Sequence, residues 1–506
     1  MSAEPLLTDL DRQAIAVSKA LVPYLADLGV TDLYLSPVLA AAPGSTHGYD
    51  VVDHRRISAV MGGRDQLESL AAEAAAHRMG IVVDIVPNHM AVPTPGWHNL
   101  PLWSVLREGV KFHDGTELTA KTVANSITKA LEAASRPKGL GKANLTVTEK
   151  GNLEVEVTSD KDDPILPQRF ADSGTVILAE AAYEGDNPSL VSTGTGPFKV
   201  TSATNDEVKT EAFADYWGGK PQLDGVTTTF NEDGSARARA IQSGEVSLTQ
   251  GIPISQVAGL GDDVKTDFVP IPRSTYLHLN TKKGVFADPG LRARVAEVVD
   301  PGTVVKDIYE DHAENPKGSL FAQTSEWAKS VVSKNSLAGT TEPEPDTKIR
   351  LATWNSRPEL PEAATVIADQ LRTAGFDVEV VVKPYNAIES AILGGDFDVV
   401  LGNRGYGLGA ADPVSFLMSD YGCDGSYNLS QYCNADIDAE LQSASEIADL
   451  DERYTKAAEI SAKIVADNAV IPIAHENSVI STKNLDGIAM DTYERKLLTK
   501  DTKIAQ

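Results

Sequence analysis

Hydrophobic periodicity before residue 110 predicts the start of a β/α arrangement. LVPYLADLGV has a helical period and is expected to end at Gly29, while DLYLSPVL and IVVDIVP predict strands. A second helix is predicted over DQLESLAAEAAAHRMG, ending at Gly80. IVVDIVP is apolar on both faces, as a parallel strand is when helices cover it. Strands and helices therefore alternate in this part of the chain.

After residue 110 the pattern changes. VKFHDG alternates like a strand that leads into an Asp-Gly turn. Thr119 is placed to cap a helix that carries Val123, Ile127 and Leu131 on one face. A second, larger folding unit is predicted to begin here.

The last third of the chain predicts a doubly wound α/β lobe. IRLATW, PEAATVIADQLRTAG, DVEVVV and FDVVLG predict strand, helix, strand and strand in that order, and DERYTKAAEISAKIVADNA predicts a long late helix. The acidic, proline-rich TTEPEPDT before them predicts a boundary between lobes.

Charge and composition narrow the function classes. Among the 506 residues, 45 Lys plus Arg against 72 Asp plus Glu give a net charge of -27, which opposes a nucleic-acid partner. No apolar run is long enough to span a bilayer, so no direct membrane span is expected. The first residues carry acids and lack an apolar signal region, so the chain as written is expected to stay in the cytoplasm.

Two cysteines, Cys423 and Cys433, are separated by polar, turn-prone residues. A disulfide that closes a small surface loop is one interpretation, and two unpaired thiols are the other. No Cys/His cluster has zinc-ligand spacing, and residues 110–506 contain no Walker A, Rossmann, HExxH or nucleophile-elbow motif. Neither a metal nor a cofactor is expected.

Two segments, YLADLGVTDLYLSPVLAAAPGSTHGYDVVDHRRIS and DIVPNHM, carry a first resemblance. Residues ~21–109 resemble the N-terminal part of malto-oligosyltrehalose synthase, of the α-amylase superfamily, and imply a partial (β/α) barrel fragment, domain 1–109. By this resemblance Tyr49 and Asp50 line the innermost sugar subsite, His89 hydrogen-bonds the sugar, and Asp84 and Asn88 organise the strand end. The alternative is that these polar residues merely cap a strand.

This sugar site is expected to be vestigial. Retaining glycoside chemistry needs two carboxyl groups about 5 Å apart. In that family both come from later barrel strands, and nothing after Gly109 resembles those motifs. No glycosyl transfer or hydrolysis is therefore expected, and no catalytic residue is assigned.

Six ordered blocks carry a second resemblance, over residues ~106–506. They are LREGVKFHDGTELTA, GTGPFKV, YWGGKPQLDGV, ARAIQSGEVSLTQGIP, TYLHLNTKKGVFADPGLRARVAEVVD and NAVIPIAHEN. Together they resemble ABC-transporter extracellular solute-binding proteins of family 5, the peptide/nickel class, without the N-terminal portion. LREG fits both families, so the two parts join there without a linker.

The second resemblance implies an α/β, two-lobed periplasmic-binding-protein-like (type II) fold. Lobe I would be residues 110–345, incomplete, and lobe II residues 346–506, with a C-terminal return to lobe I. A small-molecule or peptide ligand would bind between the lobes without catalysis, and the closed form would dock on an ABC permease outside the cytoplasm.

The loop NRGYGLGAADPVSFL matches the cleft-lining segment of this family. Peptide-binding relatives place an Asp four residues before the loop's proline, where it anchors the ligand's α-amino group; here Gly409 stands there. That change argues against a standard amine anchor and a dipeptide ligand. The candidate ligand-binding residues are Trp354, Asn403, Arg404, Tyr406, Asp412 and Tyr427.

One candidate, Trp354, and several other aromatic and histidine residues also have a structural interpretation. Trp354 could simply be core, and Tyr216 and Trp217 precede a turn-like Gly-Gly-Lys-Pro. His113 and His278 sit in strand patterns, which favours structural roles over metal binding.

Three hypotheses follow. The chain is a solute-binding protein with a replaced N-terminus, an α-amylase-superfamily enzyme that acts on malto-oligosaccharides although its catalytic carboxylates are missing, or a recombined product that does neither job. Response to a ligand panel, release of sugar from maltoheptaose, and a native peptide spanning Trp103 to Asp114 would distinguish them.

Overall fold

The chain folds as two units, Met1–Val110 and Lys111–Gln506. The computed structural model describes residues 14–35, 37–41, 51–58, 61–83, 109–185, 187–322, 324–328, 339–407 and 409–505. Each unit is considered by itself below.

The described residues of the N-terminal unit form two helices and four short strands. They are α1 (Ala14–Asp27), β1 (Asp32–Leu35), β2 (Leu39–Ala41), β3 (Val51–Ile57), α2 (Gly63–Ala76) and β4 (Gly80–Val83). β1 and β4 pair in parallel, and β2 and β3 pair antiparallel. The predicted helices are present and end at Asp27 and Ala76, slightly earlier than expected.

The core of this unit lies on one face of the parallel pair. Leu33 and Ile81 pack against a cluster that includes Val22 and Leu70 from the two helices. Val82 points the other way and is 48% exposed, so the expectation that helices cover both faces of β4 is wrong for the described residues. The strands described in this unit close no barrel.

The larger unit is a mixed α/β structure. Its helices are α3 (Ala120–Glu132), α4 (Leu166–Arg169), α5 (Gly234–Ser243), α6 (Ile254–Val257), α7 (Pro289–Val298), α8 (Pro301–Asp307), α9 (Glu359–Thr373), α10 (Tyr385–Leu393), α11 (Pro413–Tyr421), α12 (Ala435–Ser445) and α13 (Leu450–Ala466). Its strands are β5 (Leu145–Glu149), β6 (Val155–Ser159), β7 (Phe198–Ala203), β8 (Glu207–Ala212), β9 (Gly225–Thr229), β10 (Leu248–Gln250), β11 (Lys265–Leu279), β12 (Lys348–Trp354), β13 (Asp377–Lys383), β14 (Val399–Gly405), β15 (Val470–Thr482), β16 (Leu485–Asp486) and β17 (Lys503–Ile504).

A six-stranded sheet of order β10-β15-β11-β14-β12-β13 organises this unit. β12 pairs in parallel with β13 and β14, while the long strands β11 and β15 pair antiparallel from Lys265↔Thr482 to His278↔Val470. Strands on both sides of the predicted lobe boundary at residue 345 share this sheet. That boundary stays a prediction.

Smaller sheets surround the six-stranded one. β7, β8 and β9 form an antiparallel sheet, β5 pairs with β6, and β16 pairs with β17. The main core packs β11, β12 and β14 against α9, with Leu277, Leu351, Ile367 and Leu401 fully buried.

Local signals near residue 110 were partly correct. Thr119 caps α3, and its hydroxyl and that of Thr122 form a reciprocal capping box. VKFHDG was expected to be a strand, but the structure has only an isolated bridge from Lys111 to Glu117 around the turn. Because one bridge closes the turn at once, no strand extends from it.

The two cysteines lie between α11 and α12. Cys423 and Cys433 are joined by a disulfide in the structure, which closes a short loop. The sequence left this pairing open against two free thiols.

Candidate ligand-binding site

A cavity of about 1880 Å³ lies within the larger unit, and charged side chains are among the residues that line it. Segments far apart in sequence line it, among them α5, β9, β10, the N-terminal end of α9 and the residues at 476–479. The long strands β11 and β15 contribute Arg273 and Glu476. A pocket of this size exceeds the usual 300–1,000 Å³ range of small-ligand sites.

Glu476 on β15 is held by three neighbours. The Thr275 hydroxyl donates to Glu476 Oε1 at 2.7 Å, and Asn403 Nδ2 donates to both carboxylate oxygens at 3.1 and 3.3 Å. Arg273 Nη1 lies 3.9 Å from Oε2. The carboxylate is therefore fixed in orientation by side chains of β11 and β14.

Glu494 forms a second fixed group beside it. Arg273 Nη2 donates to Glu494 Oε2, and Gln250 Nε2 and the Ser478 hydroxyl donate to Oε1 at 3.0 and 2.9 Å. Arg273 thus bridges two carboxylates, so its charge is compensated within the protein.

Arg357 and Glu359 differ from these groups because they lack such partners. Among the described residues no hydrogen bond or ion pair engages the Arg357 guanidinium, whereas the Glu359 carboxylate accepts hydrogen bonds from its own main-chain N–H and from the Ile254 N–H, the latter at 3.2 Å. Burial raises the pKa of Glu359 above its ordinary value, although the hydrogen bonds from the main-chain N–H groups of Glu359 and Ile254, and the Arg357 charge, oppose the rise. Both side chains line the cavity.

A second arginine of the cavity lining, Arg237, lies near Arg357. Arg237 on α5 donates to the main-chain carbonyls of Asn231 and Gly251. Burial lowers the Arg237 pKa, and the nearby charge of Arg357 lowers it further. Two guanidiniums therefore face the same region beside Gly251, where an anionic group would relieve their repulsion.

Aromatic residues support the wall at Tyr385. Its hydroxyl lies 2.7 Å from the Tyr427 hydroxyl and donates to Glu389 at 2.9 Å. The Arg404 guanidinium stacks over the Tyr427 ring, 4.1 Å from its centroid, and pairs with Asp420 at 2.8 Å. Burial raises the Tyr385 pKa, so this hydroxyl stays a neutral donor or acceptor.

Of the six predicted ligand-binding residues, Asn403 lines the cavity. Arg404 and Tyr427 stand behind Tyr385, as just described. Trp354 is buried in the core and packs edge-on against Tyr385, with ring centroids 5.1 Å apart. Gly402 is required there, because a Cβ on it would lie 2.2 Å from the Trp354 ring.

The structure places Asp412 and Tyr406 away from the described cavity lining. Asp412 caps α11 and forms a bidentate pair with the buried Arg453 of α13, at 2.7 and 2.8 Å. Tyr406 lies in a second core cluster, where its hydroxyl bonds that of Ser325. Asp412 is engaged by the helix cap and by Arg453, and Tyr406 is engaged by the core cluster and by Ser325. For this reason neither side chain reaches the cavity.

The predicted sugar-site residues Tyr49, Asp50, Asp84, Asn88 and His89 lie outside the described residues. Of the residues given a structural interpretation, His278 is buried on β11, and His113 is buried with Nε2 2.8 Å from the Gly196 carbonyl oxygen. The residues that the structure describes contain no group of three or more His, Cys, Asp or Glu able to hold a metal ion.

Sequence reasoning missed Arg273, Arg357, Glu359, Glu476 and Glu494. Glu476 lies within the family motif NAVIPIAHEN, so the sequence marked this segment as belonging to the family. Nothing in the motif indicated that the Glu476 carboxylate would line a cavity. Arg357 and Glu359 follow a predicted strand, IRLATW, which is where doubly wound sheets place ligand contacts. Nothing local marked Arg273 or Glu494.

Comparison with known proteins shows to which family the larger part of the chain belongs. Residues 104–428 match the family described as bacterial extracellular solute-binding proteins, family 5 Middle. The chain belongs to this family of solute-binding proteins. Its members are binding proteins rather than enzymes.

A curated relative and two solved structures illustrate this solute-binding family. The nickel-binding protein NikA of Staphylococcus aureus is 26% identical over 403 residues, 75% of this chain and 78% of that protein. Its crystal structure with Ni(L-His)2 gives a TM-score of 0.66 at 22% identity, covering 78% of this chain and 86% of that one. The oligopeptide-binding protein AppA of Bacillus subtilis, in complex with a nonapeptide, gives 0.64 at 21% identity, covering 79% and 86%. These structures establish the two-lobed α/β fold.

The N-terminal segment has a different match. Residues 17–97 match the α-amylase catalytic domain. A putative maltooligosyl trehalose synthase of Mycobacterium tuberculosis is 50% identical over 94 residues, which are 19% of this chain and only 12% of that protein. The part that belongs to the solute-binding family is thus preceded by a short segment that is similar to part of a sugar enzyme. In the described part of the chain no helix is long and apolar enough to cross a bilayer.

Proposed function

We propose that this chain is the solute-binding component of an ABC importer and that its cavity holds a small zwitterionic solute, such as a short peptide or an amino-acid chelate. The single observation that carries the proposal is the pair Arg357 and Glu359, two opposite charges that line one cavity and form no ion pair with a charged side chain in the described part of the chain. A bound carboxylate would meet Arg357, and a bound ammonium would meet Glu359.

The surrounding groups favour binding over chemistry. Glu476 and Glu494 are engaged by Arg273 and by neutral donors, so neither is an unassisted acid or base. Their role is to stabilise the cavity wall, in which Asn403 and Tyr385 would contact the solute. In the last step of the proposed function, the protein works outside the cytoplasm and transfers its solute to a permease. This location is suggested by the family, whose members are described as extracellular solute-binding proteins.

A thermal-shift panel on the full chain tests the proposal. The solutes are Ala-Leu-Ala, its N-acetyl analogue, its C-terminal amide, and the nickel(II)–histidine complex. A ligand at a hundred times its Kd stabilises the folded state by about 2.7 kcal/mol, which is easily seen as a rise in Tm. We expect the zwitterionic peptide or the chelate to raise Tm and each blocked peptide to lose most of the effect.

Two outcomes would contradict the proposal. One is the absence of a shift with every peptide and with the chelate. The other is an equal shift with N-acetyl-Ala-Leu-Ala-amide, added to the panel as a control, because a peptide blocked at both ends offers no charge to Arg357 or Glu359. Maltoheptaose belongs in the same panel, and release of sugar from it would instead favour an enzymatic function.

A further inference from the structure

A loop outside the described cavity lining supports the cavity wall at Tyr385. The disulfide closes this loop, residues 423–433, which we call the disulfide loop. At the first residue of α10, the hydroxyl of Tyr385 lies 2.7 Å from the hydroxyl of Tyr427. At the last residue of α10, the Leu393 carbonyl accepts from Gln431 Nε2 at 2.9 Å. Because Tyr385 also lines the cavity, the disulfide loop is coupled to the cavity through α10.

Tyr427 is the residue of the disulfide loop that fixes Tyr385. The Tyr385 hydroxyl donates to Glu389 at 2.9 Å, so it accepts in its bond with Tyr427. The Tyr427 ring is held in turn by the Arg404 guanidinium, which stacks over it and pairs with Asp420. Tyr427 therefore positions Tyr385 from behind the cavity wall.

The second half of the disulfide loop is anchored without the disulfide. Asn428 Nδ2 donates to the carbonyls of Gly422 and Tyr432, at 3.0 and 2.7 Å. The Thr281 N–H donates to the Ser430 carbonyl at 2.9 Å. Asn428, Ser430 and Tyr432 are buried. This half is therefore expected to keep its place when the sulfur–sulfur bond is broken.

The first half of the loop, residues 424–427, is less firmly held. These residues are exposed or half-buried. The N–H groups of Gly425 and Tyr427 donate at 3.0 Å to the carbonyls of Gly422 and Ser419, at the end of α11. The disulfide ties this half to the anchored half, so breaking it returns conformational freedom to Tyr427.

We propose that the disulfide is a redox switch for solute affinity. The oxidised loop positions Tyr427 and thereby Tyr385, and reduction releases both and weakens solute binding. This inference rests on the solute function proposed above. Disulfides persist in oxidising compartments and are reduced in the cytosol. The protein would therefore reach its full affinity only outside the cytoplasm, where the proposed function has it capture the solute.

A dithiol supplies the electrons for the switch. Its thiolate attacks the sulfur of Cys433, which is exposed, whereas Cys423 is half-buried. The sulfur–sulfur bond breaks, the Cys423 sulfur leaves as a thiolate that takes up a proton, and a mixed disulfide forms at Cys433. The second thiol of the reductant then closes its own disulfide and frees Cys433. The protein disulfide gains two electrons and two protons, which the dithiol loses.

Hydrogen–deuterium exchange of the full chain, resolved to single residues, tests whether reduction releases Tyr427. We expect the amides of Gly425 and Tyr427 to exchange at least tenfold faster in dithiothreitol than in the oxidised protein. The Thr281 amide, which is bonded to the anchored half of the loop, is the internal control and should stay unchanged. The double variant Cys423→Ser, Cys433→Ser should resemble the reduced protein without any reagent.

Isothermal titration with Ala-Leu-Ala tests whether this release reaches the cavity. We expect reduction to weaken the Kd of the wild type at least fivefold, equivalent to about 1 kcal/mol, which is the usual net value of one hydrogen bond. Tyr427→Ala has neither a ring nor a hydroxyl to release. Reduction should therefore change its Kd less than twofold, whereas a disulfide that only stabilises the fold would weaken both proteins alike.

Three results would overturn the proposal. They are unchanged exchange of the Tyr427 amide after reduction, equal Kd values for the oxidised and reduced wild type, and an equal effect of dithiothreitol on the double variant, which has no disulfide to reduce. If Ala-Leu-Ala does not bind the oxidised protein, it is the proposed peptide solute that is wrong. The exchange of Tyr427 then decides by itself whether the disulfide controls this residue.

Discussion

His278 shows how the surroundings of one side chain decide its charge. It is buried on β11, where its ring packs near the rings of Tyr276 and Tyr421. Burial lowers its pKa to about 3, and the positive charge of Arg404 contributes. The strand pattern predicted a structural role for this residue, but it did not indicate how deeply the ring is buried.

The buried imidazole predicts that stability falls as the pH drops from 7 to 5. An unfolded imidazole titrates near pH 6.5, so the unfolded chain takes up a proton that folded His278 refuses. Its contribution is complete above pH 6.5 and is lost progressively towards pH 3, at up to about 1.4 kcal/mol per pH unit. The variant His278→Phe should therefore lose about 2 kcal/mol less than the wild type between pH 7 and 5.

Urea denaturation followed by circular dichroism at both pH values measures this difference. His475, whose pKa burial lowers to about 4, remains in both proteins and contributes equally. An identical loss of stability in the two proteins would contradict the prediction.

Asp412 joins two elements of the larger unit, α11 and α13. It caps α11 and pairs with Arg453, whose side chain is 2% exposed and also donates to the carbonyls of Ala444 and Ser445. Asp412→Asn keeps a good helix cap but leaves the Arg453 charge buried without a counterion. We expect it to destabilise the larger unit by about 3–5 kcal/mol.

The matched control is Asp449→Asn at the exposed N-cap of α13. Both residues cap well there and no buried charge is stranded, so the change should stay within about 0.5 kcal/mol. Urea midpoints compare the two variants. Under conditions where Asp412→Asn is folded, its solute affinity should match that of the wild type. A large loss of affinity without a loss of stability would show instead that Asp412 contributes to solute binding.

Elements with a strong local pattern were predictable, and elements defined by distant partners were not. β12, α9, β13 and α13 lie within a few residues of their predicted positions, because their apolar periods are regular. The pairing of β11 with β15 joins residues about 200 positions apart, which no local pattern encodes.

At the scale of the whole molecule, the sequence divided the chain correctly into a sugar-enzyme fragment and a family 5 solute-binding protein. The cavity was not predictable from motifs. Arg273, Arg357 and Glu476 come from three distant segments, and only the folded sheet brings them to one space. The predicted residues, most of them from the loop Asn403–Leu417, therefore included Asn403 of the cavity lining but none of its charged residues.

Isothermal titration of the full chain tests the central claim most directly. The titrant is the solute that gives the largest thermal shift, and the proteins are the wild type, Arg357→Ala and the control Arg372→Ala, whose arginine is exposed on α9 and pairs with Asp369. We predict saturable binding to the wild type, at least a tenfold weaker Kd for Arg357→Ala, equivalent to about 1.4 kcal/mol, and an unchanged Kd for Arg372→Ala. Absence of binding to the wild type, or equal Kd values for all three proteins, would contradict this account.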